Sequence, residues 1–162
     1  MLRQLRHDVW ATEKVLDRCR ALTEEQLALT VPGTYGTIRR TLEHIVGADQ
    51  RYLRRFATIP ERVLLEDHDV SLDEIAAQLA KVKDGVEKLF AGQEFDPDRV
   101  IRDERRKPPV EITAWVLVTQ FAHHGSDHRA HIGTILGAHG LDAPDLDVWA
   151  YGSANDAVRE IT

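Results

Sequence analysis

The chain has 162 residues, with 21 basic and 27 acidic side chains, a formal net charge of −6 and 43% hydrophobic residues. That length fits one domain, read as 1–162, and the balance is that of a soluble globular protein; a disordered chain is set aside, and so is a nucleic-acid partner. Arg3, Arg6, His7 and Asp8 interrupt the first ten residues and no stretch approaches the roughly 20 apolar residues that cross a bilayer, so no leader or membrane span is drawn and a cytoplasmic location is expected.

Leu5, Val9, Val15, Leu16 and Cys19 recur at three- and four-residue spacing and predict a first helix over 2–20. Thr23 with Gln26 three places on makes a capping box for a short turn, which Pro32-Gly33 ends. A second helix opens at Thr37, with Ile38, Leu42, Ile45, Asp49, Tyr52, Leu53 and Phe56 on one broad face and a stop at Ile59-Pro60. Ser71 and Glu74 form another capping box, and Leu72 to Phe90 carries the stripe of a third helix, followed by Gly92. Residues 91–110 hold Pro97, Pro108 and Pro109 and read as a loop with a short extended piece near 99–102. From Glu111 to Gly140 runs the longest predicted helix. A tail with Val148, Trp149 and Tyr151 closes the chain. Four amphipathic helices without convincing strands predict an all-α fold, a four-helix bundle with long crossing connections near 57–70 and 91–110.

Cys19 is the lone cysteine, so an intrachain disulfide and a thiolate-clustered metal site are both excluded, and any ion must be held by nitrogen and oxygen. Eight histidines are the unusual count, and four of them (His123, His124, His128 and His131) fall within nine residues. At about 100° per residue, His128 and His131 lie roughly 40° and −20° from His124, whereas His123 lies about 100° away. Leu117 and Ile135 share that direction, which turns the His124/His128/His131 stripe toward the core. Imidazoles gathered there need something to accept their lone pairs, and an i, i+4 pair can reach one divalent ion. Gly125 stands where a zinc peptidase would need its glutamate base, which disfavours that chemistry.

The segment Ala122–Gly133, with Thr37–Ile45 far upstream, resembles the DinB/YfiT-like metalloenzyme superfamily, and the likeness spans nearly the whole chain. The hallmarks are one histidine in the second helix, matched by His44, and an H-x-x-x-H-R pair, matched by His124 and His128-Arg129. Ala130 and His131 depart from the glycine and glutamine that often follow in the family. The resemblance implies a four-helix bundle, often a homodimer, with a divalent ion on His44, His124 and His128. Zinc or nickel come first, with iron, cobalt, copper and manganese also compatible. It further implies a small-molecule substrate, since relatives include thiol-dependent S-transferases and a mycothiol-dependent maleylpyruvate isomerase. The expected activity is thiol-dependent S-transfer or isomerisation through a metal-bound thiolate, with a low-molecular-weight thiol as co-substrate. Metal-assisted hydrolysis and a non-catalytic stress or sensor protein are the alternatives.

Periodicity alone does not choose His44: it falls roughly −120° from Ile38, off the apolar stripe of its helix. The resemblance puts it in the metal site, where Thr37, Thr41 and Ala48 would leave room for an ion and a substrate. His131 is a fourth ligand, a donor to substrate or a satisfied core histidine. Asp127 either orients a ligand imidazole or pairs with Arg129 or Arg105 at the surface. Asp49, a carboxylate on an apolar face, pairs with an arginine or supports a ligand. His7, His68 and His139 read as solvent or cap residues, Trp10, Trp115 and Trp149 as packing anchors, and Cys19 as a small buried hydrophobe.

Overall fold

The computed structural model describes residues 2–56, 70–91, 95–159 and 161. Its elements are α1 (Leu2–Arg20), α2 (Glu24–Leu27), α3 (Ile38–Phe56), α4 (Leu72–Phe90), β1 (Val100–Asp103), β2 (Val110–Thr113), α5 (Ala114–Ala138) and α6 (Val148–Ala154). The stops predicted at Ile59-Pro60 and Gly92, and the residue His68, lie outside the described residues.

Local chemistry sets the helix starts. Thr23 accepts from the Gln26 amide while the Gln26 side chain accepts from the Thr23 amide, and Ser71 and Glu74 repeat the arrangement at α4. Each box satisfies amides that the first turn leaves open. α5 begins differently. Thr113 makes no side-chain cap, and the amides of Ala114 and Trp115 instead donate to the carbonyls of Arg99 and Pro97, both at 2.9 Å.

The four long helices form a bundle in which α3 packs against α5 and α4, and α1 against α4 and α5, so α4 and α5 stand across a diagonal. Residues 95–113 precede α5 in the chain. β1 falls on the extended piece expected near 99–102, whereas β2 was not predicted; the two pair antiparallel, with Val100 opposite Thr113 and Ile101 opposite Ile112. The last predicted helix accordingly starts three residues later than Glu111, because Glu111–Thr113 is occupied by the ladder. Strands of four residues are too short for alternation to stand out from the surrounding loop.

The core gathers Leu5, Leu42, Ile45, Leu79, Phe121 and Ile132 at its centre. α3 is its most enclosed element: from Thr41 to Gln50 every residue except His44 is buried. Trp115 and Trp149, expected as anchors, are 45% and 73% exposed, since both sit on solvent-facing sides of their helices.

Candidate metal centre

α3 delivers His44 and α5 delivers His124 and His128 to one point between the two helices. One ring nitrogen from each lies within 4.8 Å of the others. His44 Nε2 and His124 Nε2 are 2.9 Å apart, and the ring centroids of His124 and His128 are 4.4 Å apart. Burial, followed by the neighbouring His128 and His44, pulls the proton affinity of His124 down to a pKa of about 4. That ring is therefore neutral at physiological pH and can offer a lone pair. Nitrogens around a tetrahedral zinc stand roughly 3.3 Å apart, given bonds of about 2.0 Å, which falls inside the spread of this cluster. The donor set fits a divalent ion.

Because α3 is enclosed on nearly all sides, a direction off its apolar stripe is not a direction toward water. Thr41 and Ala48, on the His44 side, are as buried as the stripe itself. This is why periodicity alone did not find His44.

Two phenols border the cluster, and neither was expected there. Tyr35 stacks on His44, with centroids 4.1 Å apart, and meets His128 edge-on at 4.9 Å. Its hydroxyl lies 2.9 Å from His44 Nδ1. Tyr52 stands edge-on to His124 at 5.7 Å. Tyr35 is carried by the loop that follows α2, where Gly33 at φ 91 makes a turn that other residues adopt only with strain. The Leu29 carbonyl accepts from the Ile38 amide and folds that loop back onto the start of α3. The signal available in the sequence was the Pro32-Gly33 turn directly before the helix that bears His44.

His131 stands edge-on to His128 at 5.4 Å and is not among the three residues whose nitrogens converge. Its Nδ1 is buried without a hydrogen-bond partner. Asp127 is exposed and makes no hydrogen bond or ion pair among the described residues, and its charge acts on His124 only as the last of the influences on that ring. Arg129 pairs elsewhere, with Asp8 of α1 at 2.6 Å, where both side chains are almost fully buried, and also donates to Thr12 Oγ1 at 3.0 Å. Asp49 is wholly buried close to this pair, and neither of its oxygens has a hydrogen-bond partner. Burial, reinforced by the charge of Asp8, raises its pKa well above the usual carboxylate range. It is not the arginine-paired carboxylate that its position suggested. Burial also pushes Asp8 up, while the Arg129 guanidinium pulls it back.

His7 also differs from expectation. It is half-buried, bonded through Nε2 to the Leu146 carbonyl at 2.8 Å and packed against Trp10 and Tyr151. Tyr151 lines a cavity of about 320 Å³ with Arg6, Trp10 and Glu87, on the α1/α4/α6 side and apart from the three histidines. Cys19 is buried, and its thiol is pushed up to about 12.

The family model for the DinB family matches residues 1–159. The chain belongs to the DinB family. A DinB-like protein from Bacillus cereus, known from a crystal structure at 2.01 Å resolution, superposes with a TM-score of 0.67 at 20% identity, over 88% of this chain and 94% of that one. At that identity the likeness speaks for the DinB fold. No curated protein matches the chain. No helix of the described residues is long and apolar enough to cross a membrane.

Proposed function

We propose that this DinB protein is a divalent-metal-dependent enzyme acting on small molecules, with His44, His124 and His128 as ligands and thiol-dependent S-transfer or isomerisation as its reaction. The observation that carries the reading is the convergence of three imidazole nitrogens, one from α3 and two from α5, within 4.8 Å of one another. Nitrogen donors suit zinc or nickel first, and also iron, cobalt, copper and manganese. A divalent ion on neutral ligands keeps its full charge for whatever fills its open positions and lowers the pKa of a thiol or a water there.

The residues of the chain have separate tasks. The imidazoles hold the ion through ring nitrogens, and the depressed pKa of His124 favours a bare nitrogen on that ring. Tyr35 and Tyr52 border the cluster with aromatic surface against which a small substrate can lie. His131 offers a further ring nitrogen beside His128. The thiol comes from solution, because Cys19 is buried and holds its proton. A homodimer in the cytoplasm completes the proposal and rests on the family membership.

Metal analysis of the purified protein beside His124→Ala and His128→Ala tests the ligands. The parent is expected to hold about one equivalent of ion, and each variant to bind it more than about 100-fold more weakly, beyond the loss usual for an outer partner of a ligand. Incubating the loaded protein with a thiol panel and a generic electrophile tests the chemistry. Turnover that requires thiol is expected; turnover indifferent to thiol points to hydrolysis, and no turnover to a metal-binding protein without catalysis.

A further inference from the structure

A neutral imidazole carries its single proton on one of two nitrogens, and a metal ligand must leave the inward nitrogen bare. His44 touches a polar neighbour at both: Tyr35 Oη lies 2.9 Å from Nδ1, and His124 Nε2 lies 2.9 Å from Nε2. The protons along this row can be placed in two ways. In one, His44 Nδ1–H donates to Tyr35, His44 Nε2 accepts from His124 Nε2–H, and His124 Nδ1 is a bare acceptor. In the other, the Tyr35 hydroxyl donates to Nδ1, His44 Nε2–H donates to His124, and His124 Nδ1–H is a donor. His124 Nδ1 is buried and has no hydrogen-bond partner. A buried N–H left without an acceptor is rarer and costlier than an unfilled acceptor, so the first placement is favoured.

We propose that Tyr35 is a positioning residue for the histidine cluster: its hydroxyl oxygen accepts the Nδ1–H of His44 and fixes the tautomer whose bare Nε2 faces His124. The metal role of that tautomer rests on the reading of the cluster as a metal centre. The stacking of Tyr35 on His44 and its edge contact with His128 hold the phenol where the bond requires it. In metal-ligating histidines the outer N–H is commonly given a partner of this kind, and losing one typically costs 10–100-fold in affinity.

The test compares wild type with Tyr35→Phe, which keeps the ring and removes the hydroxyl. On metal-free protein above the histidine titration range, imidazole nitrogen NMR, with His44 assigned by its loss in His44→Ala, should show His44 protonated at Nδ1 in wild type. In Tyr35→Phe the proton should move toward Nε2, and zinc affinity, measured by competition with a chelator, should fall about 10–100-fold. A Tyr35→Leu protein that matches Tyr35→Phe in both readouts assigns the effect to the hydroxyl and not to stacking. The proposal is overturned by a wild-type His44 protonated at Nε2, by an unchanged tautomer in Tyr35→Phe, by unchanged zinc affinity in Tyr35→Phe when wild type binds zinc, or by an effect confined to Tyr35→Leu. If wild type takes up no zinc, the metal reading fails by itself, and the tautomer measurement still decides the role of Tyr35.

Discussion

The flank of α5 that meets α3 and the flank that meets α1 both bury polar side chains, and they do so by different physics. Toward α3 stand His124 and His128 with His44, and burial together with its two neighbouring rings lowers the pKa of His124 to about 4. Toward α1, Arg129 and Asp8 form a buried ion pair whose remaining hydrogen bonds reach Thr12 Oγ1 and the Asp8 carbonyl. Asp49 adds a second acid close by, and burial, reinforced by the charge of Asp8, raises its pKa well above the usual carboxylate range. A buried pair bonded in this way fixes the roll of α5 about its axis, whereas on the other flank His124 Nδ1 is buried without a hydrogen-bond partner. The first flank gathers nitrogen donors, and the second pins one helix to another.

Removing one partner on the holding flank should give the largest change. Arg129→Met strands Asp8 in the interior and is expected to cost about 3–5 kcal/mol in urea unfolding, whereas His124→Ala in metal-free protein should stay within about 1 kcal/mol. Equal losses would erase the contrast between the two flanks. Gly125→Ala comes next. A Cβ there would stand 2.6 Å from Arg129 Nη1 and 2.8 Å from Asp8 Oδ2, with Asp8 Oδ1 closer still, so the pair must separate. A loss of about 1–3 kcal/mol is expected, with the same unfolding curves as the check.

The remaining predictions use pH. The pKa of His124 falls from 6.5 to about 4 on folding, so between those values the unfolded chain binds more protons at this site. Stability from this group is present above 6.5 and lost as the pH drops toward 4; His124→Gln should flatten that part of the profile. Asp49 has the opposite sign. Its folded pKa lies above 3.8, so the native state binds the extra proton and stability declines as the pH rises past that value. Asp49→Asn should remove the decline and leave the protein more stable near neutrality than its parent, as thermal melts across pH would show. If both variants shifted the profile in one direction, the two flanks would not differ as described.

Much of this was legible in the sequence, and the exceptions have physical causes. The long helices declared themselves through 3.6-residue periodicity, with a capping box at the start of α4, and the predicted spans 2–20 and 72–90 coincide with α1 and α4. The His124/His128 spacing is a local property of one helix and needed no tertiary knowledge. His44 required the family resemblance, because a helix enclosed on nearly all sides has no single inward direction for a moment to find. Tyr35 comes from a loop, where no period constrains the side chain. Asp8 shares a helical face with Leu5, Thr12, Val15 and Cys19, all of them buried, and a carboxylate in that company was a readable sign of a buried partner.

The start of α5 has a consequence for variation in this protein. Its leading amides are held by carbonyls on the strand pair's approach, at Pro97 and Arg99, and not by a residue of the helix's own N-terminus. Residues 104–109 form the tip of the hairpin, beyond the last paired position. Lengthening or shortening that tip would change the outline of the molecule without sliding the imidazoles along the bundle axis. Insertions there are therefore the natural place to attach a label or a tag that leaves the centre undisturbed.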